Sequence, residues 1–273
     1  MSKALQIGFE FEFRHVLSNK EICRQISLMF PDEEFETSNS TGTSFNPYVF
    51  HIKKELGLYR SGSFAERDEK ELKNSCEIAT PIWSQTVAIQ NFKKILTWLK
   101  YTGAQTYRSC GIHVNISFKN IIENSKISPV KLVLLHNDTE ILETFDRTTN
   151  YHCECVYPLI DKWLKKAEFY QQNYIKDRIL QKIKVHLLGK GHSIRFSEDL
   201  INRIFDPSED DNCYVEFRSL GGRNYQYREK ELLIGVRKFI DAIKMSADSN
   251  TDTQLCNKIR CLQRKWIKTT SNA

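Results

Sequence analysis

The chain has 273 residues, of which 40% are hydrophobic, so it can bury a sizeable core in one large domain or two small ones. It contains no apolar run of about 18 residues, and its N-terminus lacks the parts of a signal peptide, so we expect no membrane span and no secretion. The formal net charge is +6, and eight cysteines are scattered without an obvious framework. We therefore expect reduced thiols and a cytoplasmic protein.

The first predicted element is a strand, LQIGFEFEFR at residues 5–14. Its leucine, isoleucine and phenylalanines point one way and Glu10 and Glu12 point the other, because side chains alternate along a strand. The Ser/Thr/Asn-rich segment Thr37–Asn46 predicts a mobile loop. In the next strand, SCEIATP at residues 75–81, Glu77 opposes Cys76 and Ile78.

The middle of the chain alternates helix, strand and helix. Ser84 is predicted to cap a helix that runs to about Tyr101, whose apolar stripe includes Val87 and Phe92. The strand CGIHVNISF, residues 110–118, places His113 and Asn115 opposite its isoleucines and valine. A second helix is predicted to begin at Ser128–Pro129 and to end at about residue 146.

The second half of the chain is rich in basic residues. From Lys162 to Arg195 it has nine lysines and arginines and two acids, and we predict a basic helical insertion at about 158–192. After a loop at 206–212, the strand CYVEFRS places Glu216 and Arg218 on its polar side, and a third helix spans about 227–245. We divide the chain into a catalytic domain, 1–250, and a basic tail, 251–273. The basic segments are either solvated surfaces or binding sites for phosphate or nucleic acid.

Four strands thus share one design, an apolar face and a face that carries acids, histidine, asparagine and arginine. A half-exposed antiparallel strand also alternates in this way. Solvent faces, however, usually carry lysine, serine and threonine, and no lysine stands at these positions. Carboxylates brought together on one sheet repel one another unless cations neutralise them. The pattern therefore predicts a site for Mg²⁺ or Mn²⁺, with Arg218 beside it for a phosphate oxygen.

The order of the motifs GFEFEF, SGSF, CEIATP, CGIHVN, RTTNYHC and VEFRSLGG resembles the amidoligase family, from about residue 5 to 245. These are carboxylate–amine ligases with the fold of glutamine synthetase and glutamate–cysteine ligase. The resemblance implies an α+β fold in which a curved antiparallel sheet forms a funnel with helices on its outer face. It also implies an ATP- and Mg²⁺-dependent ligase that makes an amide or isopeptide bond through an acyl phosphate.

The same resemblance implies roles for individual residues. The metal ligands would be Glu10, Glu12, Glu77, His113 and Glu216, and the four glutamates with Arg218 would form the catalytic group. His113, Asn115 and Arg218, and by a looser match Arg195, would bind the nucleotide. The substrates would lie against Ser61, Ser63, Arg147, Asn150, Gly221 and Gly222. The family usually has aspartate where Ser61 stands and often a second histidine where Asn115 stands.

Several alternatives stay open at this stage. Clustered acids and basic patches are also found in metal-dependent nucleases and phosphotransferases, and a sheet of this kind can serve as a catalytically silent binding module. The carboxylate and amine are not specified, and a large anionic acceptor or nucleic acid would suit the basic segments. His152, Cys153 and Cys155 with Cys256 and Cys261 form a weaker candidate for zinc, because a Cys-x-Cys pair is unusual in structural zinc sites.

Overall fold

The computed structural model describes residues 5–38, 46–54, 75–117, 129–150, 153–158, 191–197 and 214–247. In these ranges the chain is a mixed α+β protein built on an open eight-stranded sheet. Four of the predicted features lie outside the described residues: the basic insertion apart from its two ends, the loop 206–212, the tail 251–273, and Ser61 with Ser63.

The described strands are β1 (Gln6–Arg14), β2 (Phe35–Ser38), β3 (Phe50–Lys54), β4 (Ser75–Ala79), β5 (Trp83–Ser84), β6 (Gly111–Ser117), β7 (Ile194–Phe196) and β8 (Tyr214–Gly221). They are ordered β2-β3-β4-β1-β6-β8-β7, and β5 pairs with β1. All pairs are antiparallel except β2 with β3, which are parallel.

The four strands that carry the predicted acids and histidine are confirmed as β1, β4, β6 and β8. The sequence reading missed β2, β3, β5 and β7, which are all short. Thr37 and Ser38, which were predicted to begin a mobile loop, lie in β2. Residues 39–45 of that predicted loop fall outside the described residues.

The described α-helices are α1 (Asn19–Met29), α2 (Gln85–Tyr101), α3 (Pro129–His136), α4 (Asp138–Thr144) and α5 (Glu229–Ala247). Helices α2 and α5 are confirmed, although the Ser84 side chain makes no capping hydrogen bond and Val87 is exposed. The single helix predicted for about 128–146 is wrong. Asn137 has a φ of 53°, a left-handed conformation that breaks the segment into α3 and α4.

Helix α1 was not predicted, although the sequence carries a signal for it. The Ser18 hydroxyl accepts a hydrogen bond from the Glu21 backbone N–H at 3.2 Å, which caps the first turn of the helix. Serine followed three residues later by glutamate is the capping-box spacing. Ile22 and Ile26 are the buried residues of this helix.

The helices cover the apolar face of the sheet. Phe92 of α2 packs on Phe9 and Phe11 of β1, with ring centroids 4.7 and 5.4 Å apart, and Phe239 of α5 stacks on Phe217 of β8 at 4.3 Å. Phe9 and Phe217 lie on the same face, because Val114 of β6 stands opposite both. The polar side chains of β1, β4, β6 and β8 therefore point to the other face. None of the helices in the described ranges is both long and apolar enough to cross a membrane.

Candidate functional site

Strand register brings the predicted polar residues together on one face. Glu10 of β1 stands opposite His113 of β6, and Glu12 stands opposite Glu77 of β4. Asn115 of β6 stands opposite Glu216 of β8, which in turn stands opposite Arg195 of β7. Directly opposed residues share a face and lie about 5 Å apart. Five strands, β1, β4, β6, β7 and β8, therefore contribute to one polar surface.

The centre of this surface is a cluster of Glu10, His113 and Glu216, each of which offers a ligand atom within 4.8 Å of the others. His113 Nδ1 lies 2.9 Å from Glu10 Oε2 and 3.4 Å from Glu216 Oε1. His113 Nε2 lies 3.5 Å from Glu12 Oε1. The imidazole is thus surrounded by three carboxylates, and the Asn115 amide donates to Glu10 Oε1 at 2.9 Å.

Most acids of this face and His113 are buried, unlike the polar face of a half-exposed strand, and Glu10 is half-buried. Glu216 is 3% exposed, Glu77 3% and His113 4%. Buried carboxylates are costly unless they are paired and hydrogen-bonded. Here Arg218 and Arg195 each contact Glu216, at 2.5 and 3.0 Å, and Lys53 Nζ lies 2.8 Å from Glu77 Oε1. The acids are therefore held together by cations that the same sheet supplies.

These contacts decide the charge states. Burial alone would raise the pKa of Glu10, but the hydrogen bond and charge of His113, with Lys53 and Asn115, lower that pKa well below its usual range. Burial opposes the charge of Arg218, yet the charges of Glu216, Glu12 and Glu10 raise its pKa. At neutral pH the site therefore contains an ionised Glu10 and a charged Arg218.

Strand β8 has a β-bulge next to Arg218. Val114 of β6 pairs with Phe217, whereas Ile112, two residues away, pairs with Leu220, so that two residues of β8 face His113 alone. A bulge of this kind bends a strand and re-aims its side chains. Arg218 donates to Glu216 on the same strand, because residues two apart on a strand share a face.

The donor set suits a divalent cation. Two carboxylates and one imidazole can bind Mn²⁺, and carboxylates with water can bind Mg²⁺. Glu10, His113 and Glu216 are the residues that would hold such an ion, since their ligand atoms already converge. Glu12 and Glu77 lie in the next row of the sheet, where Glu12 Oε2 accepts the Gly111 backbone N–H at 2.5 Å. Neither belongs to this three-residue group, and their role as ligands stays a prediction.

Arg147 reaches the polar face from outside the sheet. It is 1% exposed, its Nη1 donates to the Cys110 carbonyl and its Nε donates to Cys153 Sγ at 3.4 Å. A Cβ atom on Gly111 would lie 3.2 Å from Arg147 Nη2 and 3.0 Å from Glu12 Oε2. The guanidinium thus lies next to the second row of acids, where β6 has no side chain.

The remaining predicted substrate residues line this arginine or lie apart from it. Gly221 and Gly222 have φ values of +122° and +86°, and a Cβ atom on Gly221 would lie 2.7 Å from Arg147 Nη1. The Asn150 side chain donates to the Arg108 carbonyl at 3.4 Å, on the loop that precedes β6. Of the candidate zinc ligands, Cys155 Sγ donates a hydrogen bond to Asp138 Oδ1 at 2.9 Å. His152, Cys256 and Cys261 lie outside the described residues.

Sequence reasoning missed Lys53, because β3 was not recognised. The segment FHIKK has a readable alternation, with Phe50 and Ile52 buried and His51 and Lys53 on the other side. Lys53 stands opposite Glu77 in the register. The four predicted strands carry no lysine on the polar face, and Lys53 of β3 adds one there, next to Glu77.

Comparisons with known proteins add little to this picture. No family model matches the chain, and no curated protein matches it. Among solved structures the chain is similar to one described as the crystal structure of novel glutamine synthase homolog, at 10% identity and a TM-score of 0.29. The match covers 88% of this chain and 56% of that chain, so this chain spans little more than half of its length. A likeness at this level decides neither fold nor activity.

Proposed function

We propose that the protein is a carboxylate–amine ligase that uses ATP and Mg²⁺ or Mn²⁺ to form an amide or isopeptide bond. The observation that carries the proposal is the convergence of Glu10, His113 and Glu216 within 4.8 Å, with two arginines on Glu216. The order of the motifs along the chain, which resembles that of the amidoligases, supports the choice of a ligase over other metal-dependent reactions.

The reaction needs both the metal-binding cluster and the two arginines. A carboxylate is a poor electrophile, so ATP would first convert it to an acyl phosphate, which an amine then attacks with release of phosphate. Transfer of an anionic phosphoryl group to another anion requires positive charge near both. A bound metal ion would supply that charge at Glu10, His113 and Glu216.

The arginines would neutralise the transferred phosphoryl group. Arg218 is mostly buried and points at Glu216, and Arg195 is more exposed. Arg195 Nε is buried and has no hydrogen-bond acceptor among the described residues, so one N–H of this guanidinium is not used by the rest of the described structure. The neighbouring row of the polar face consists of Lys53, Glu77, Glu12 and Arg147. We assign this row to the binding of the acceptor carboxylate and the amine.

The test is a screen for ADP release by the purified protein over a panel of carboxylates and amines with Mg²⁺ or Mn²⁺. We expect turnover that requires both a carboxylate and an amine. Mg²⁺-dependent cleavage of DNA or RNA without ATP would instead support a nuclease. A protein that binds neither metal nor nucleotide in calorimetry would be a silent binding module.

Two glutamate variants test the site itself. Glu10→Ala and Glu216→Ala should each reduce ADP release by at least about 100-fold, because each removes a carboxylate from the centre of charge stabilisation. The matched control is Glu143→Ala, which changes an exposed glutamate of α4 and should leave turnover unchanged. Full activity in both site variants would rule out this assignment.

A further inference from the structure

A second acid, Asp138, is completely buried at the start of α4. It is 0% exposed, and its carboxylate accepts hydrogen bonds from the backbone N–H groups of Val156 at 2.7 Å and Tyr157 at 3.2 Å. It also accepts from Cys155 Sγ at 2.9 Å and from the Ser193 hydroxyl. These four donors come from the two described segments, 153–158 and 191–197, that flank the basic part of the chain.

In the described part of the chain, no lysine, arginine or histidine forms an ion pair with Asp138. A buried carboxylate without a cation is tolerated only when hydrogen bonds satisfy its oxygens. Its geometry is therefore set by the donors, and the donors in turn are held in place by the carboxylate.

Ser193 connects this acid to the arginines of the site. Its carbonyl accepts the Arg218 backbone N–H at 2.7 Å, and its own N–H donates to the Glu154 carbonyl at 2.8 Å. One residue further on, Ser193 leads into β7, where Arg195 stands opposite Glu216. Strand β7 has three residues and pairs with β8 on one side, so it has few anchors of its own within the described structure.

We infer that Asp138 and Ser193 are positioning residues that hold Arg195 and Arg218 against Glu216. The inference rests on the proposed function, because it assigns the arginines to the phosphate groups of a nucleotide. The Asp138 carboxylate accepts a hydrogen bond from the Ser193 hydroxyl, and the Ser193 carbonyl accepts the backbone N–H of Arg218 in β8. Two residues after Ser193, Arg195 of β7 stands opposite Glu216. Movement of Ser193 would therefore displace both guanidinium groups from the phosphate position.

A double-mutant cycle between Ser193→Ala and Arg195→Met tests this coupling, with the affinity for Mn²⁺·ADP measured by calorimetry. Each single variant should weaken binding by about tenfold. The loss caused by Ser193→Ala should be at least about threefold smaller in the Arg195→Met background than in the wild type, because only Arg218 is then left to position. Effects that multiply would overturn the inference and leave Ser193 with a purely structural role.

The matched control is Ser246→Ala. Ser246 is also buried, and its hydroxyl donates to the Ile243 carbonyl within α5 at 2.8 Å. This variant should keep the wild-type affinity for Mn²⁺·ADP, and a tenfold loss here would show that any buried serine has the same effect. Asp138→Asn, combined with Arg195→Met, provides a second cycle with the same expectation if Ser193→Ala does not fold.

The outcomes separate this inference from the proposed function. A wild-type protein that binds no Mn²⁺·ADP contradicts the proposed nucleotide site and, with it, the inference. Binding by the wild type with independent effects of Ser193→Ala and Arg195→Met contradicts the inference alone. Binding with strong coupling supports both.

Discussion

Glu10 shows how single residues on this face depend on one another. Burial would make its carboxylate hard to ionise, but His113, Lys53 and Asn115 lower its pKa well below the usual range. A carboxylate whose pKa is depressed in the folded state stabilises the fold at pH values above its unfolded pKa, which is about 4.5. That stabilisation is lost as the pH falls below this value, because the unfolded chain takes up a proton that the folded chain does not.

Glu10→Gln should therefore flatten the acid side of the stability profile. We expect the free energy of unfolding of the wild type to decrease more steeply than that of the variant between pH 5 and pH 3, which lie about one unit either side of the ordinary carboxylate pKa. Urea denaturation at each pH measures both curves. All other carboxylates are retained in the variant, so the difference between the curves isolates Glu10. Parallel curves would show that the His113 contact does not favour the ionised form.

At the scale of elements, glycines mark two different constraints. Gly103 follows the C-terminal end of α2 with a φ of +78°, and a Cβ atom there would meet no heavy atom within 4 Å. Gly221 ends β8 with a φ of +122°, and a Cβ atom there would lie 2.5 Å from the Cys110 carbonyl oxygen. The first glycine is needed only for its backbone conformation, whereas the second is needed for conformation and for space.

Alanine substitutions should separate the two constraints. Gly103→Ala should lower the free energy of unfolding by about 1–2 kcal/mol, the cost of a left-handed residue with a side chain. Gly221→Ala adds overlap with backbone and with Arg147, and should lower it by at least about 2–4 kcal/mol. Chemical denaturation of both variants measures the difference, and equal losses would argue against the close packing of β6, β8 and Arg147.

At the scale of the whole molecule, one hydrophobic core joins the sheet to its helices. Phe92 lies at the centre of the contact between α2 and β1, and Trp98 of the same helix packs edge-on against Phe13 at 6.0 Å. A continuous core predicts that sheet and helices unfold together. The acids of the polar face depend on this core, because the apolar residues between them are buried in it.

Phe92→Ala should destabilise the entire unit rather than α2 alone. The expected loss is about 3–5 kcal/mol, with coincident unfolding curves by circular dichroism and by tryptophan fluorescence. Val87→Ala, an exposed position on the same helix, is the control and should change stability by less than about 0.5 kcal/mol. Separate transitions for the two probes in Phe92→Ala would show that α2 and the sheet are independent units.

The sequence by itself determined which side chains of β1, β4, β6 and β8 share a face, because strand alternation is a local property that can be read from each segment. It also identified Glu10, His113 and Glu216 as candidates, since a strand face that carries acids and histidine but no lysine is unusual for a solvent face. Helices α2 and α5 were readable for the same local reason, from their apolar periodicity.

Only the tertiary structure decided which of these residues meet. The pairing of β1 with β6 puts Glu10 on His113, and the pairing of β7 with β8 puts Arg195 on Glu216. Lys53 comes from a short strand that was not recognised from the sequence, and Asp138 and Ser193 meet only through the fold. Strand order, register and the packing of buried polar groups arise from contacts between residues far apart in the chain, and alternation within a single strand does not encode them.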